Sequence, residues 1–136
     1  MAVLLVEVDQ VKVFESLFNM TVLLKLEDAA KFIAAYWLSL YLGHAWWIFF
    51  AWLLAPDLSA ISYIVNTRVG AVLYNVAHHQ ALALIILIVG IYSSLPGLTL
   101  AGIVLFGHSA MDRLLGYGLK YPDDFKHTHL GWIGKK

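Results

Sequence analysis

From about Ala29 to Tyr117 the chain is almost wholly apolar, and Asp57, Asn75, His78, His108 and Asp112 interrupt that stretch. A helix that crosses a bilayer needs ~20 apolar residues. The run GIVLFGHSAMDRLLGYG closes one such helix, which begins near Leu98 after the Leu95-Pro96-Gly97 turn. AVLYNVAHHQALALIILIVGIYSS forms another, from about Val69 to Ser93. The stretch from Ala29 to Val65 is too long for one span and short for two, and Gly43-His44 near its middle supplies a tight turn. The pattern therefore predicts spans over about 26–42, 45–65, 69–93 and 98–118. Pro56 falls inside the second, where it kinks the helix and frees carbonyls beside Asp57.

Charge placement supports four spans. Lys25, Lys31, Arg68, Arg113, Lys120, Lys126, Lys135 and Lys136 then share one side, and only the uncharged turns near Gly43 and Pro96 face the other. This is a positive-inside pattern with both termini cytoplasmic. A three-span alternative with a re-entrant piece over 57–66 would set Lys25 and Lys31 opposite the rest. Ahead of the spans, residues 1–25 read as an amphipathic extension on the membrane surface, with Asp9, Lys12, Ser16 and Asn19 on one helical face. Early acidic residues and the lack of a basic start argue against a cleaved signal peptide. Residues 119–136 form a short polar and aromatic cytoplasmic tail that folds back, with Trp132 at the interface. The expectation is one domain over 1–136, an all-α integral membrane four-helix bundle of the bacterial cytoplasmic (inner) membrane.

Composition agrees. Mean hydropathy is +0.76 and only 13% of residues are charged, where soluble domains carry about 25%. Zero net charge gives no field for nucleic acid. The absence of cysteine excludes disulfides, thiolate zinc sites and a cysteine nucleophile.

The polar interruptions then need a reason, because an ionisable group in hydrocarbon costs roughly 2.5–3.5 kcal/mol by insertion scales. Helical rise places Asp57 ~16 Å and His78 ~15 Å from Arg68, with His108 ~18 Å and Asp112 ~12 Å from Lys120. Three spans thus carry ionisable groups at one depth, in the cytoplasmic half. His108 and Asp112, at i and i+4, share a helix face, as do Asn75 and His78 at i and i+3. Imidazoles with carboxylates suit zinc, iron or manganese as a divalent metal cofactor. A metal-bound water with its pKa lowered to near 7 is a nucleophile for ester, amide or phosphoester cleavage. Against this stand plainer roles: hydrogen-bond glue between helices, a helix cap at Asp57, or a polar ion pathway. His127 and His129 have a spacing that can present two ligands from an extended strand. Trp46, Trp47 and Trp52 read as an interfacial belt. Gly107-His108-Ser109-Ala110-Met111 fails the serine-hydrolase elbow at its last position.

Taken together, Ala55-Pro56-Asp57-Leu58-Ser59, Tyr74-Asn75 with His78, Gly107-His108 with Asp112-Arg113, the run Gly116–Tyr121, and Thr128-His129-Leu130-Gly131 carry a resemblance. From Leu24 to Lys135 the chain resembles the small bacterial integral membrane proteins grouped as domain of unknown function 4260. The resemblance implies a compact helical membrane domain with marked polar positions where depth places them here. It supplies no activity.

The reading that follows is a metal-dependent enzyme, a hydrolase of a lipid-like or amphipathic small molecule. Asp57, His78, His108 and Asp112 hold the metal, with Asp57 and His129 the catalytic residues and His129 a fifth ligand or general base. Asn75, with Tyr74 and Arg113, orients ligands or substrate. The alternatives are a transporter or small-ligand binder, haem between His78 and His108 included, and a structural subunit. The lipid bilayer is the implied partner, and a homodimer is compatible with so small a membrane chain.

Overall fold

A computed structural model describes residues 19–135, together with Lys12 and Glu15. The surface-helix expectation for residues 1–18 lies, apart from those two, outside the described residues. Helix α1 (Met20–Tyr41) starts where Asn19 caps it, its side chain accepting from the Thr21 N–H at 2.9 Å. Residues 20–25 therefore open α1 instead of closing a separate segment. Gly43, at φ +86°, makes the expected turn. Helix α2 (Trp46–Trp52) then runs into a 3-10 helix (Ala55–Ile64). Helices α3 (Thr67–Ala77), α4 (Gln80–Tyr92) and α5 (Pro96–Leu115) follow, α3 capped by Asn66 and α5 opened by Pro96. The tail carries two short antiparallel strands, β1 (His127–Thr128) and β2 (Gly131–Trp132), with Lys120 bridged to Thr128. The fold is otherwise all-helical, as the hydrophobic pattern predicts.

Two described helical stretches are long and apolar enough to cross a membrane, Trp46–Ile64 and Pro96–Leu115. A third exists if α3 and α4, bent by 46°, count as one. Helix α1 is long enough but keeps Lys25, Glu27, Asp28 and Lys31 in its first half, and is not in that set. Large apolar side chains lie bare along the outside, among them Ile64, Tyr92 and Trp46. That surface suits lipid better than water.

The single helix expected over 69–93 is broken at His78-His79, and the cause is local. The His78 N–H makes the last helical bond of α3 to the Tyr74 carbonyl at 3.0 Å, and its Nδ1 shares that carbonyl at 2.8 Å. His79 caps α4, its Nδ1 accepting from the Leu82 N–H at 3.4 Å. Non-helical backbone at membrane depth survives only where its polar groups find partners, and here the two histidines provide them.

Helix α5 is central, packed against α1 and α4, while α3 packs on the 3-10 helix. Glycines permit the close approach: a methyl group at Gly102 would collide with the Leu87 backbone, and one at Gly90 with Thr99. Small residues at helix contacts are the usual solution in membranes. Phe49, fully buried, anchors the core with Ala35, Leu53, Leu87, Ile103 and Val104.

Candidate metal centre

Pro56 is where the site begins. In a 3-10 turn the N–H of residue 56 would bond the Leu53 carbonyl, and proline has none. The next donor, the Asp57 N–H, goes to the Leu54 carbonyl at 3.2 Å. The Leu53 carbonyl is left free, and His108 Nδ1 on α5 takes it at 2.7 Å. On α3, His78 Nδ1 is held by the Tyr74 carbonyl. A carbonyl only accepts, so both Nδ1 atoms carry hydrogen. In the neutral rings both Nε2 atoms are then bare lone pairs.

Those lone pairs face each other at 2.9 Å. Asp57 Oδ1 lies 3.4 Å from His108 Nε2 and 3.6 Å from His78 Nε2. Asp112 Oδ2 lies 3.5 Å from His78 Nε2, and its Oδ1 lies 3.7 Å from His108 Nε2. One ligand atom from each of the four residues falls within 4.8 Å of all the others. Four acceptors thus converge with no donor among them, two of them anionic. Only a cation suits such a point. Ligand bonds of ~2.0–2.2 Å around a tetrahedral metal give ligand-to-ligand edges of ~3.3–3.6 Å; the imidazole-to-carboxylate distances of 3.4, 3.5, 3.6 and 3.7 Å lie at that size, and the 2.9 Å between the two Nε2 atoms is shorter. The donor set of two imidazoles and two carboxylates fits a divalent ion of the zinc, iron or manganese group.

Burial is uneven. The His108 and His78 side chains are 0% and 3% exposed and Asp112 12%, whereas Asp57 is 50% exposed. Three ligands are locked inside, and the fourth stands on an open side. Tyr74 braces two of the buried three, Asp112 and His78. Its hydroxyl donates to Asp112 Oδ2 at 2.8 Å, and its ring stacks on His78 with centroids 3.7 Å apart. Together with the two carbonyls, this is the outer layer of hydrogen bonds that orients metal ligands.

The remaining sequence candidates lie elsewhere. Asn75 faces the tail: its Oδ1 accepts from the Lys120 N–H at 2.7 Å and its Nδ2 donates to the Lys120 carbonyl at 2.9 Å. It positions the chain after α5 and not the four ligands. His129 is outside the cluster; its Nδ1 accepts from the Leu119 N–H at 2.8 Å. Arg113 lines a separate cavity of about 900 Å³ with Lys25, Asp28 and Lys31. His127 pairs with Asp123 at 2.8 Å and holds that exposed carboxyl below its usual range. Its ring stacks on Trp132, so the His127–His129 pair does not act as a unit.

The sequence placed Lys120 at the cytoplasmic surface, and its burial was not foreseen. It is 4% exposed, with Nζ 4.1 Å above the Phe125 ring and 4.9 Å from that of Tyr74. Burial pushes its ammonium below the usual lysine range, and the Asp112 and Asp57 carboxylates oppose that shift. The carbonyl that Pro56 was expected to free beside Asp57 is that of Leu53, and the sequence did not show that His108 takes it.

The geometry defines an all-helical protein with membrane-length apolar helices and a buried His/Asp cluster able to hold a metal ion. The chain belongs to the family described as Domain of unknown function (DUF4260), whose model matches residues 21–133. No curated protein and no solved structure gives a significant match.

Proposed function

We propose that this is a multi-pass protein of the bacterial inner membrane, both termini cytoplasmic, and a metal-dependent hydrolase of an amphipathic, lipid-like substrate. The observation that carries the reading is the convergence of four acceptor groups on one point with both imidazole tautomers fixed by carbonyls. His78, His108 and Asp112 are the buried ligands. Three protein ligands and an open position are the usual arrangement of a catalytic site, and a bound ion there would lower the pKa of its water to about 7. Asp57 occupies the open side. Its exposed carboxylate accepts the proton of the attacking water and returns it to the leaving group, as general base then acid. Tyr74 keeps Asp112 aimed and excludes water from behind His78.

Metal analysis of protein purified in detergent tests this. About one equivalent of zinc, iron or manganese is expected in the native chain and none in His108→Ala. Less than about 0.1 equivalent in the native chain, unchanged after the metals are added back, rejects the proposal. Hydrolysis of chromogenic carboxyl and phosphoric esters by the loaded protein tests the chemistry, with Asp57→Asn as its control.

The 2.9 Å separation of the two Nε2 atoms favours one second reading, a proton held between the imidazoles of a carrier. That reading predicts no metal and proton uptake into vesicles that His78→Ala abolishes.

A further inference from the structure

Helix α5 packs closely on α1 and α4 but stands off from the α2 to 3-10 stretch. The gap is a slot of about 440 Å³ whose lining residues are all apolar. Trp52 and Pro56 form one wall; Gly97, Ala101, Val104 and Leu105 lie on the other. Those α5 positions recur at helical spacing, and the same face continues one turn on to His108 and a further turn to Asp112. On the facing wall the residue after Pro56 is Asp57. Exposure grades along the slot: Gly97, Ala101 and Trp52 are exposed at its mouth, and Val104 and Pro56 are buried at its inner end. The floor is ~12 Å long at helical rise. An apolar slot thus runs from the exposed Gly97, Ala101 and Trp52 to the buried Val104 and Pro56, and Pro56 is one residue from Asp57 in the chain.

We propose that this slot binds one acyl chain of a membrane lipid, placing the polar linkage of that lipid at Asp57 and the His78–His108 pair. The proposal deepens the hydrolase reading by naming the substrate class and its orientation, and rests on that reading for the chemistry. Gly97 and Ala101 matter because larger side chains there would fill the space. Apolar pockets of 300–1,000 Å³ with polar groups at one end are the common form of a small-molecule site.

The test uses the full chain in nanodiscs, loaded with zinc, and two probes that differ only in tail: acetohydroxamate and octanohydroxamate. Calorimetry on the native protein should show the longer probe binding more tightly. Ala101→Trp should leave zinc content and acetohydroxamate affinity as they are, and should cut the long-to-short affinity ratio by about tenfold or more. An unchanged ratio in a zinc-loaded variant overturns the slot and leaves the metal reading standing. A second arm does not depend on metal: a fatty acid with a terminal diazirine, photolysed in the same nanodiscs. Labelling concentrated on Trp52 and residues 101–105, and lost in Ala101→Trp, supports the slot even if no metal binds. Labelling spread evenly over the lipid-facing helices and indifferent to the substitution overturns it. Ala101→Leu serves in both arms if the tryptophan variant loses its helical dichroism.

Discussion

At the scale of single residues, everything turns on which atoms carry hydrogen. Two Nδ1 atoms donate to carbonyls, so in the neutral rings two Nε2 lone pairs and two carboxylates meet at one point. Tyr74 supplies the nearest donor, and it is spent on Asp112. Tyr74→Phe should keep the fold and lower metal affinity by about 10–100-fold, the usual cost of losing such an outer hydrogen bond; a competitive chelator titration reads it. Asp57→Asn should retain metal and lose ester hydrolysis by about 10²–10⁴-fold. Loss of metal in Asp57→Asn would make Asp57 a needed ligand instead of a base. The convergence of the four residues was legible in the sequence because distance along a helix converts to depth, and Arg68 and Lys120 supplied the zero. His129 was not legible in that way. It follows α5 in irregular chain, where spacing fixes no direction, and it turned out to hold the Leu119 N–H.

At the scale of elements, two interruptions make the site. Pro56 turns α2 into a 3-10 helix and frees the Leu53 carbonyl; the break at His78-His79 turns the His78 ring inward against Tyr74. Pro56→Ala should restore a backbone donor that competes for Leu53. Metal affinity should fall on the order of tenfold while helical content stays the same, checked by the same chelator titration and by circular dichroism. The proline kink could be read from the sequence. The His78 break could not, because a histidine inside an apolar run gives no breaker signal; the side-chain bond to the Tyr74 carbonyl at the end of α3 depends on the ring's orientation in the fold. Asn75 shows the same limit. Its two bonds to the Lys120 backbone join residues 45 apart in sequence, beyond any local pattern. Asn75→Ala should free the tail, with faster cleavage near Lys120 by added trypsin and little change in metal content. Unchanged cleavage would show that Phe125 packing against Tyr63 and Tyr74 holds the tail without it.

At the scale of the whole molecule, apolar helices carry a charged point that they could tolerate only if it is neutralised. Two carboxylates uncompensated in a low-dielectric interior cost several kcal/mol each, and a divalent cation removes that cost. Metal should therefore stabilise the chain. Binding at about 100 times Kd is worth ~2.7 kcal/mol, so chelator should lower the melting temperature in detergent, and zinc should restore it. The helical class and the approximate spans were readable from hydropathy. Helix α1 was harder: three of its four charges, Glu27, Asp28 and Lys31, lie where a span was expected.

An anomalous diffraction map from crystals grown with zinc tests the central claim most directly. The account predicts a single strong peak about 2.0–2.2 Å from His78 Nε2, His108 Nε2 and an Asp112 oxygen. A map without density among those atoms, each imidazole resting on a separate neighbour, would contradict it.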